Sequence, residues 1–138
     1  MTEEIDVLIE GSGDDGLMRT AARGAARRVA GSLHVLFEEE MGENCDRAKS
    51  HLVVRDRLVE VHRRGAVKTD LIFREDEVTR TAYETPDLSF SLEVHTKKLS
   101  IHRTDERIEI HIRYALFSGG GHIRDAEVRM VLSGSLLL

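Results

Sequence analysis

Cysteine, proline and tryptophan are nearly absent: Cys45 and Pro86 stand alone, and no tryptophan occurs in 138 residues. A lone cysteine excludes an intrachain disulfide and fits a reducing cytoplasm. Glu43 and Asp46 beside it oppose thiolate formation, so Cys45 reads as structural rather than reactive. Long apolar runs are also missing. Nothing approaches the roughly 18–20 residues of a membrane helix, and the start, Met1-Thr2-Glu3-Glu4, lacks the apolar core of a secretory signal. A cytoplasmic location with no membrane partner is the expectation. A basic surplus is missing too: 20 Lys and Arg face 25 Asp and Glu, a net charge of −5. That balance argues against a nucleic-acid partner, which needs a basic surface. One domain over residues 1–138 is expected from the length.

What the chain does contain is alternation. Leu88, Phe90, Leu92 and Val94 interleave with Ser89, Ser91, Glu93 and His95. Ile108, Ile110, Ile112, Tyr114 and Leu116 interleave with Glu109, His111, Arg113 and Ala115, and Val128, Met130 and Leu132 follow the same rule. A period of two marks strands with one buried face. A two-residue turn at Thr104–Asp105 would set Ile101 opposite Ile108 and Leu99 opposite Ile110, in cross-strand pairs stabilising by roughly 0.2–1 kcal/mol each. A one-residue slip would bury charge. The turn Ser118-Gly119-Gly120-Gly121-His122 uses glycine's tolerance of positive φ. It predicts Ile112 opposite Val128, Ile110 opposite Met130 and Ile108 opposite Leu132. The apolar parity is even from Leu88 to Val94 but odd at Leu99 and Ile101, so a β-bulge is expected near Thr96-Lys97-Lys98. A bulged long strand bends, which lets a sheet curl into a barrel.

Earlier in the chain, Ile5–Ile9 reads as a first strand. Gly11-Ser12-Gly13-Asp14-Asp15-Gly16 matches the letters of a dinucleotide-binding loop. Two aspartates would sit where phosphate belongs, and no βαβ unit follows, so the segment reads as a hairpin turn. Leu17–Leu33 is ambiguous. Ala21, Ala22, Ala25, Ala26 and Ala30 favour helix, whereas Gly24 and Gly31 interrupt it and no apolar stripe is wide enough to dock one. Arg19, Arg23 and Arg27 form a stripe best read as a solvated face. Leu33, Val35 and Phe37 form a strand that Glu38-Glu39-Glu40 ends. The three carboxylates do not converge on one point, as a metal site would require, so they read as a solvated charge cluster. Leu52 and Val54 pair with Val61 and Val59 across a tight turn at Asp56-Arg57. Val67, Thr69, Leu71 and Phe73 alternate with polar neighbours, Arg74-Glu75-Asp76-Glu77 turns, and Val78–Tyr83 returns. Pro86, lacking an N–H, suits a turn or strand edge. Strands at this spacing suggest an all-β barrel or sandwich.

Arg63-Arg64-Gly65-Ala66-Val67, then Tyr83-Glu84-Thr85-Pro86, then Thr96-Lys97-Lys98-Leu99 resemble, in order and spacing, the DUF1934 (YwiB-like) family of small bacterial proteins. The resemblance covers Leu33 to Leu132 and, more weakly, reaches back to Ile5. It implies an all-β, small antiparallel, largely up-and-down calycin- or lipocalin-like barrel of about eight to ten strands. It also implies strand for Leu17–Arg28. Positions 25–27 are often aromatic in such relatives, but here they are Ala25, Ala26 and Arg27, which implies a roomier or more polar interior.

No catalytic signature is present. The seven histidines, His34, His51, His62, His95, His102, His111 and His122, show no metal-binding spacing and read as surface or interfacial groups. His95 and His111 are expected on the outward face. Ser133-Gly134-Ser135 is no nucleophile elbow. No cofactor and no metal are expected, and an enzyme resembling calycin-like esterases or isomerases ranks behind a non-catalytic role. The expected function is binding of a small amphipathic or apolar molecule inside the barrel. Arg63 would anchor an anion bidentately and Tyr83 would supply a hydroxyl and a ring edge. The bland alternative is that Arg63 closes the barrel by a salt bridge and Tyr83 packs in the core. A homodimer through a strand edge or the apolar tail Leu136-Leu137-Leu138 is the other functional reading.

Overall fold

Ten strands account for most of the described residues, and period-two alternation marks most of those strands. A computed structural model describes residues 2–13, 16–41 and 46–134. The strands are β1 (Glu3–Gly13), β2 (Gly16–Val29), β3 (Ser32–Met41), β4 (Asp46–Val54), β5 (Val59–Gly65), β6 (Lys68–Phe73), β7 (Val78–Glu84), β8 (Ser89–Arg103), β9 (Arg107–Ser118) and β10 (Gly121–Ser133). Each pairs antiparallel with its sequence neighbour, and β1 pairs with β10, so the meander closes into an up-and-down barrel. At the closing edge Arg129 bridges three strands, donating to Glu10 at 2.9 Å and to Glu109 at 2.5 Å. Among the described residues no helix is long and apolar enough to cross a membrane.

Register follows the alternation closely. Ile112, Ile110 and Ile108 lie opposite Val128, Met130 and Leu132. Leu52 and Val54 lie opposite Val61 and Val59, with Arg55 N donating to Leu58 O across Asp56-Arg57. The parity change in β8 is a bulge between Thr96 and Lys98. The β8–β9 turn differs from expectation. Thr104 N donates to Arg107 O, so the turn residues are Asp105 and Glu106, and Ile101 faces Ile110 while Leu99 faces Ile112. The shift is two residues, which keeps every side chain on its expected face. Leu88 is exposed in the turn ahead of β8: Thr85 N donates to Leu88 O around Pro86-Asp87.

Residues 16–29 are strand despite their alanines, because β1 supplies a ladder from Glu3↔Ala26 to Gly13↔Gly16. That ladder makes the glycine-rich segment a β-hairpin; Asp14 and Asp15 lie outside the described residues. Gly24 faces inward, where a Cβ would stand 2.8 Å from Val35 Cγ1 and 3.1 Å from Val7 Cγ2. Glycine therefore lets β2 press onto the core. Ala26 is likewise fully buried opposite Val35. Arg19, Arg23 and Arg27 are on the outward face, and Arg23 donates to Asp6 and Glu4.

The wall is not uniformly stitched. The β2–β3 ladder runs only from Val29↔Ser32 to Ala25↔Leu36, after which the two strands part. Between β6 and β7 only Lys68↔Glu84 and Thr69↔Tyr83 pair in register. There threonine hydroxyls stand in for the ladder: Thr79 Oγ1 donates to Ile72 O at 2.7 Å and Asp70 N donates to Thr81 Oγ1 at 3.2 Å. Four strands, β3 to β6, are thus joined to the other six through two weak seams.

Candidate ligand-binding site

The inward face of the barrel changes character along its axis. At the end holding the chain's first and last described strand residues it is apolar, with Ile5, Leu33, Val54, Val59, Phe73, Ile108 and Leu132 all nearly inaccessible. Following each strand toward the other end, the same parity delivers polar groups. Leu33, Val35 and Phe37 lead to Glu39, Val59 and Val61 to Arg63, Phe73 and Leu71 to Thr69, and Ile108, Ile110 and Ile112 to Tyr114. Sequence patterning alone places the three glutamates in solvent. Glu39 is instead 3% exposed, because it continues the inward parity of Leu33, Val35 and Phe37 and β3 runs on to Met41.

Register sets these groups side by side. One cross-strand row reads Phe37, Ser50, Arg63, Thr69, Tyr83, Phe90 from β3 to β8. Arg63 and Tyr83, both singled out from sequence, therefore sit two strands apart, roughly 10 Å between backbones at ordinary strand spacing. The Tyr83 ring packs on Phe90 with centroids 5.2 Å apart, and Tyr114 packs on Phe73 at 4.9 Å.

Both residues line one interior cavity of about 310 Å³, with Glu39, Thr69, Tyr114 and Arg124 among its other polar groups and Ile9, Val61, Leu71, Phe73, Leu92 and Met130 forming much of its apolar wall. Gly16, Leu17 and Met18 border it from β2, so residues on both sides of the parted β2–β3 seam reach the cavity. Gly65, at φ +121°, ends β5 so closely against β4 that a Cβ would lie 2.8 Å from Arg47 O. That conformation favours glycine and ends β5 two residues after Arg63.

The electrostatics of the cavity are incompletely compensated. Arg63 Nε stands 3.6 Å from Glu39 Oε2, an ion pair longer than a hydrogen bond, with the two side chains 17% and 3% exposed. Glu39 Oε1, Arg63 Nε and Thr69 Oγ1 have no hydrogen-bond partner among the described residues. A buried polar atom without a partner costs about 1–3 kcal/mol, so these atoms store a demand that a bound polar group would meet. Burial pushes the Tyr114 hydroxyl above its usual range, against the opposing pull of Arg63 and Arg124. It stays a neutral donor across the physiological range.

A second cluster, absent from the sequence reading, lies on the outer wall. His34, His51 and His62 step across β3, β4 and β5 toward Asp70 of β6. His34 Nδ1 and His51 Nε2 are 2.9 Å apart, the rings of His51 and His62 are 5.8 Å apart, and His62 Nδ1 lies 2.7 Å from Asp70 Oδ1. The correctly read pairing of Leu52 with Val61 already places His51 opposite His62, so register was the available signal. Burial, then His34 and His62, lower the pKa of His51. Asp70 is lowered as well: burial works against it, but hydrogen bonds from His62 and Arg64 prevail. Among the described residues no group of three or more His, Cys, Asp or Glu is placed to hold a metal ion. Cys45 and the Leu136-Leu137-Leu138 tail lie outside the described residues.

Comparison with known proteins gives two findings. The profile of a family described as a domain of unknown function, DUF1934, matches residues 5–130. The crystal structure of the ywiB protein from Bacillus subtilis is similar, with a TM-score of 0.83 at 20% identity over 96% of this chain and 92% of that one. At that identity the likeness concerns the fold. No curated protein matches.

Proposed function

The chain belongs to the DUF1934 family, and from that premise we propose that it is a cytoplasmic, calycin-like binding barrel that holds a small amphipathic molecule without catalysing its conversion. The single observation behind this reading is the interior cavity of about 310 Å³ that combines an apolar wall with Arg63, Tyr83 and buried polar atoms without a hydrogen-bond partner among the described residues. Small-molecule sites are of this kind, mostly apolar with a few convergent polar groups, and begin at about 300 Å³. The lone cysteine supports a reducing compartment.

Native mass spectrometry of the protein purified from its source cells tests the reading. A subunit mass carrying one small-molecule increment is expected. A bare mass, together with failure to take up the neutral apolar fluorophore N-phenyl-1-naphthylamine, would overturn it. A second reading rests on the parted seam. Beyond Ala25 and Leu36, β2 and β3 each lack a second ladder partner among the described residues, and open strand edges invite pairing with another chain. A homodimer through that edge would register as a doubled mass in the same spectrum.

A further inference from the structure

Resting on the second reading, that the parted seam is a dimer edge, we infer how that edge pairs. β2 of one copy runs antiparallel beside β2 of a second copy, centred on Thr20. Main-chain direction is the first argument. Ala30 and Gly31, both at positive φ, make a two-residue turn closed by Val29↔Ser32. The closing pair of such a turn exchanges both of its hydrogen bonds, and hydrogen-bonded pairs then recur at every second residue. Odd-numbered residues of β2 therefore aim their N–H and C=O groups toward β3, and even-numbered ones toward β1. Beyond Ala25↔Leu36, those of Arg23, Ala21, Arg19 and Leu17 meet no strand among the described residues. An edge of that kind is a template for another chain.

Register and charge are the second argument, and they select the occupant. Turned about Thr20, β2 is its own antiparallel complement. Leu17 then lies opposite the second copy's Arg23, and Arg19 opposite its Ala21, each bonded through the main chain in both directions. Every free residue is used, and Ala25, already laddered to Leu36, is left undisturbed. Moving the centre by one residue fails either way. About Ala21, Arg19 faces Arg23; about Arg19, the arginine faces itself; and like charges directly opposite are destabilising. A centre at Ala22 sets Arg19 against Ala25, which Leu36 already occupies, and one at Met18 leaves Arg23 opposite a position before β2 begins. On the inward face the Thr20 centre pairs threonine with threonine, a favourable cross-strand pair, and Met18 with Ala22. Exposure is the third argument. Leu17 is 89% exposed and Met18 53%, and the pairing covers both. Room exists, because an outer hollow of about 1010 Å³ opens between residues 21–25 of β2 and 36–38 of β3.

Cysteine cross-linking of the full-length protein tests the pairing, with Cys45→Ser removing the native thiol. Facing residues outside the hydrogen-bonded pairs have Cα atoms about 4.5 Å apart, within disulfide reach. On mild oxidation Thr20→Cys should therefore give about tenfold more covalent dimer than Arg19→Cys or Ala21→Cys. Met18→Cys mixed with Ala22→Cys should give the cross-linked heterodimer, and neither variant should cross-link alone. Ala21→Arg, set opposite Arg19 of the second copy, should weaken the dimer about tenfold in sedimentation and leave the strand-type circular dichroism spectrum unchanged. A dimer that cross-links through Arg19→Cys or Ala21→Cys instead would overturn this register and leave the dimer edge standing. A monomeric wild type whose Thr20→Cys variant stays uncross-linked would overturn both. So would an intrachain disulfide between Arg23→Cys and Glu38→Cys in a monomer, because the seam would then close on itself.

Discussion

The two ends of this barrel are made by the same strands in the same alternation, yet they differ in chemistry. At one end the inward positions are Ile, Leu, Val and Phe; at the other they are Glu39, Arg63, Thr69, Tyr83 and Tyr114. The wall differs in parallel. Near the apolar end β2 and β3 are laddered from Val29↔Ser32 to Ala25↔Leu36, whereas toward the polar end they part. Fold stability is concentrated where burial is dry, because each large aliphatic side chain fully buried contributes about 1.5–3 kcal/mol. Unmet polar demand is concentrated at the other end, where Glu39 Oε1, Arg63 Nε and Thr69 Oγ1 have no hydrogen-bond partner among the described residues. Dry burial and unmet polar demand are thus divided along one axis.

Breaking the dry end should cost most. Ile110→Ala, at a fully buried position, should lower unfolding free energy by about 2–5 kcal/mol, measured by urea denaturation. Gly24→Ala comes next. Its Cβ would meet Val35 and Val7 at the point where the β2–β3 ladder ends, and overpacking there should cost about 1–3 kcal/mol. An unchanged midpoint would mean that β2 can move away without loss.

Two changes should instead sharpen the contrast by stabilising. Ala30 and Gly31 both have positive φ, 49° and 83°, in the turn that starts the β2–β3 ladder. Alanine is costly there, whereas Asn-Gly is the preferred pair. Ala30→Asn should raise stability by up to about 1 kcal/mol. At the polar end Thr69→Val removes a buried hydroxyl that has no partner among the described residues. Stability should hold or rise by less than about 1 kcal/mol. A clear loss of stability would show that the Thr69 hydroxyl supports the fold.

Much of this architecture was legible in the sequence, for a definite reason. Alternation fixes which face a residue takes, and the parity break between Val94 and Leu99 located the bulge. Alternation is blind to even shifts, however, so it could not separate a turn at Thr104–Asp105 from one at Asp105–Glu106. It also falls silent in β2, where Ala21, Ala22, Gly24 and Ala25 offer no apolar contrast, and partner strands decide the conformation. Arg63 and Tyr83 were reachable as candidates. Glu39 was missed because three adjacent glutamates look solvated when read together, although counting on from Phe37 puts the middle one inside. Thr69 is chemically ordinary until the row linking Arg63 to Tyr83 passes through it.

The smallest expected effect concerns the outer wall of the four-strand half. Burial, with His34 and His62 beside it, depresses the folded-state pKa of His51. Facing this group are His34 of β3, His62 and Glu60 of β5 and, beyond His62, Asp70 of β6 with Arg64. A histidine harder to protonate when folded means that the unfolded chain binds more protons, so stability must rise with pH across its titration. The contribution is intact above the ordinary histidine value of about 6.5 and is lost as pH falls below it. Asp70, also depressed, adds a loss confined to pH below its ordinary value of 3.8, which keeps the two effects apart. Urea midpoints at about pH 7.5 and about pH 5.5 should therefore differ, with the lower stability at the acid value, and His51→Gln should shrink the difference. A variant that kept the whole difference would move its origin to the other histidines and leave the β4–β5 register without a role in it.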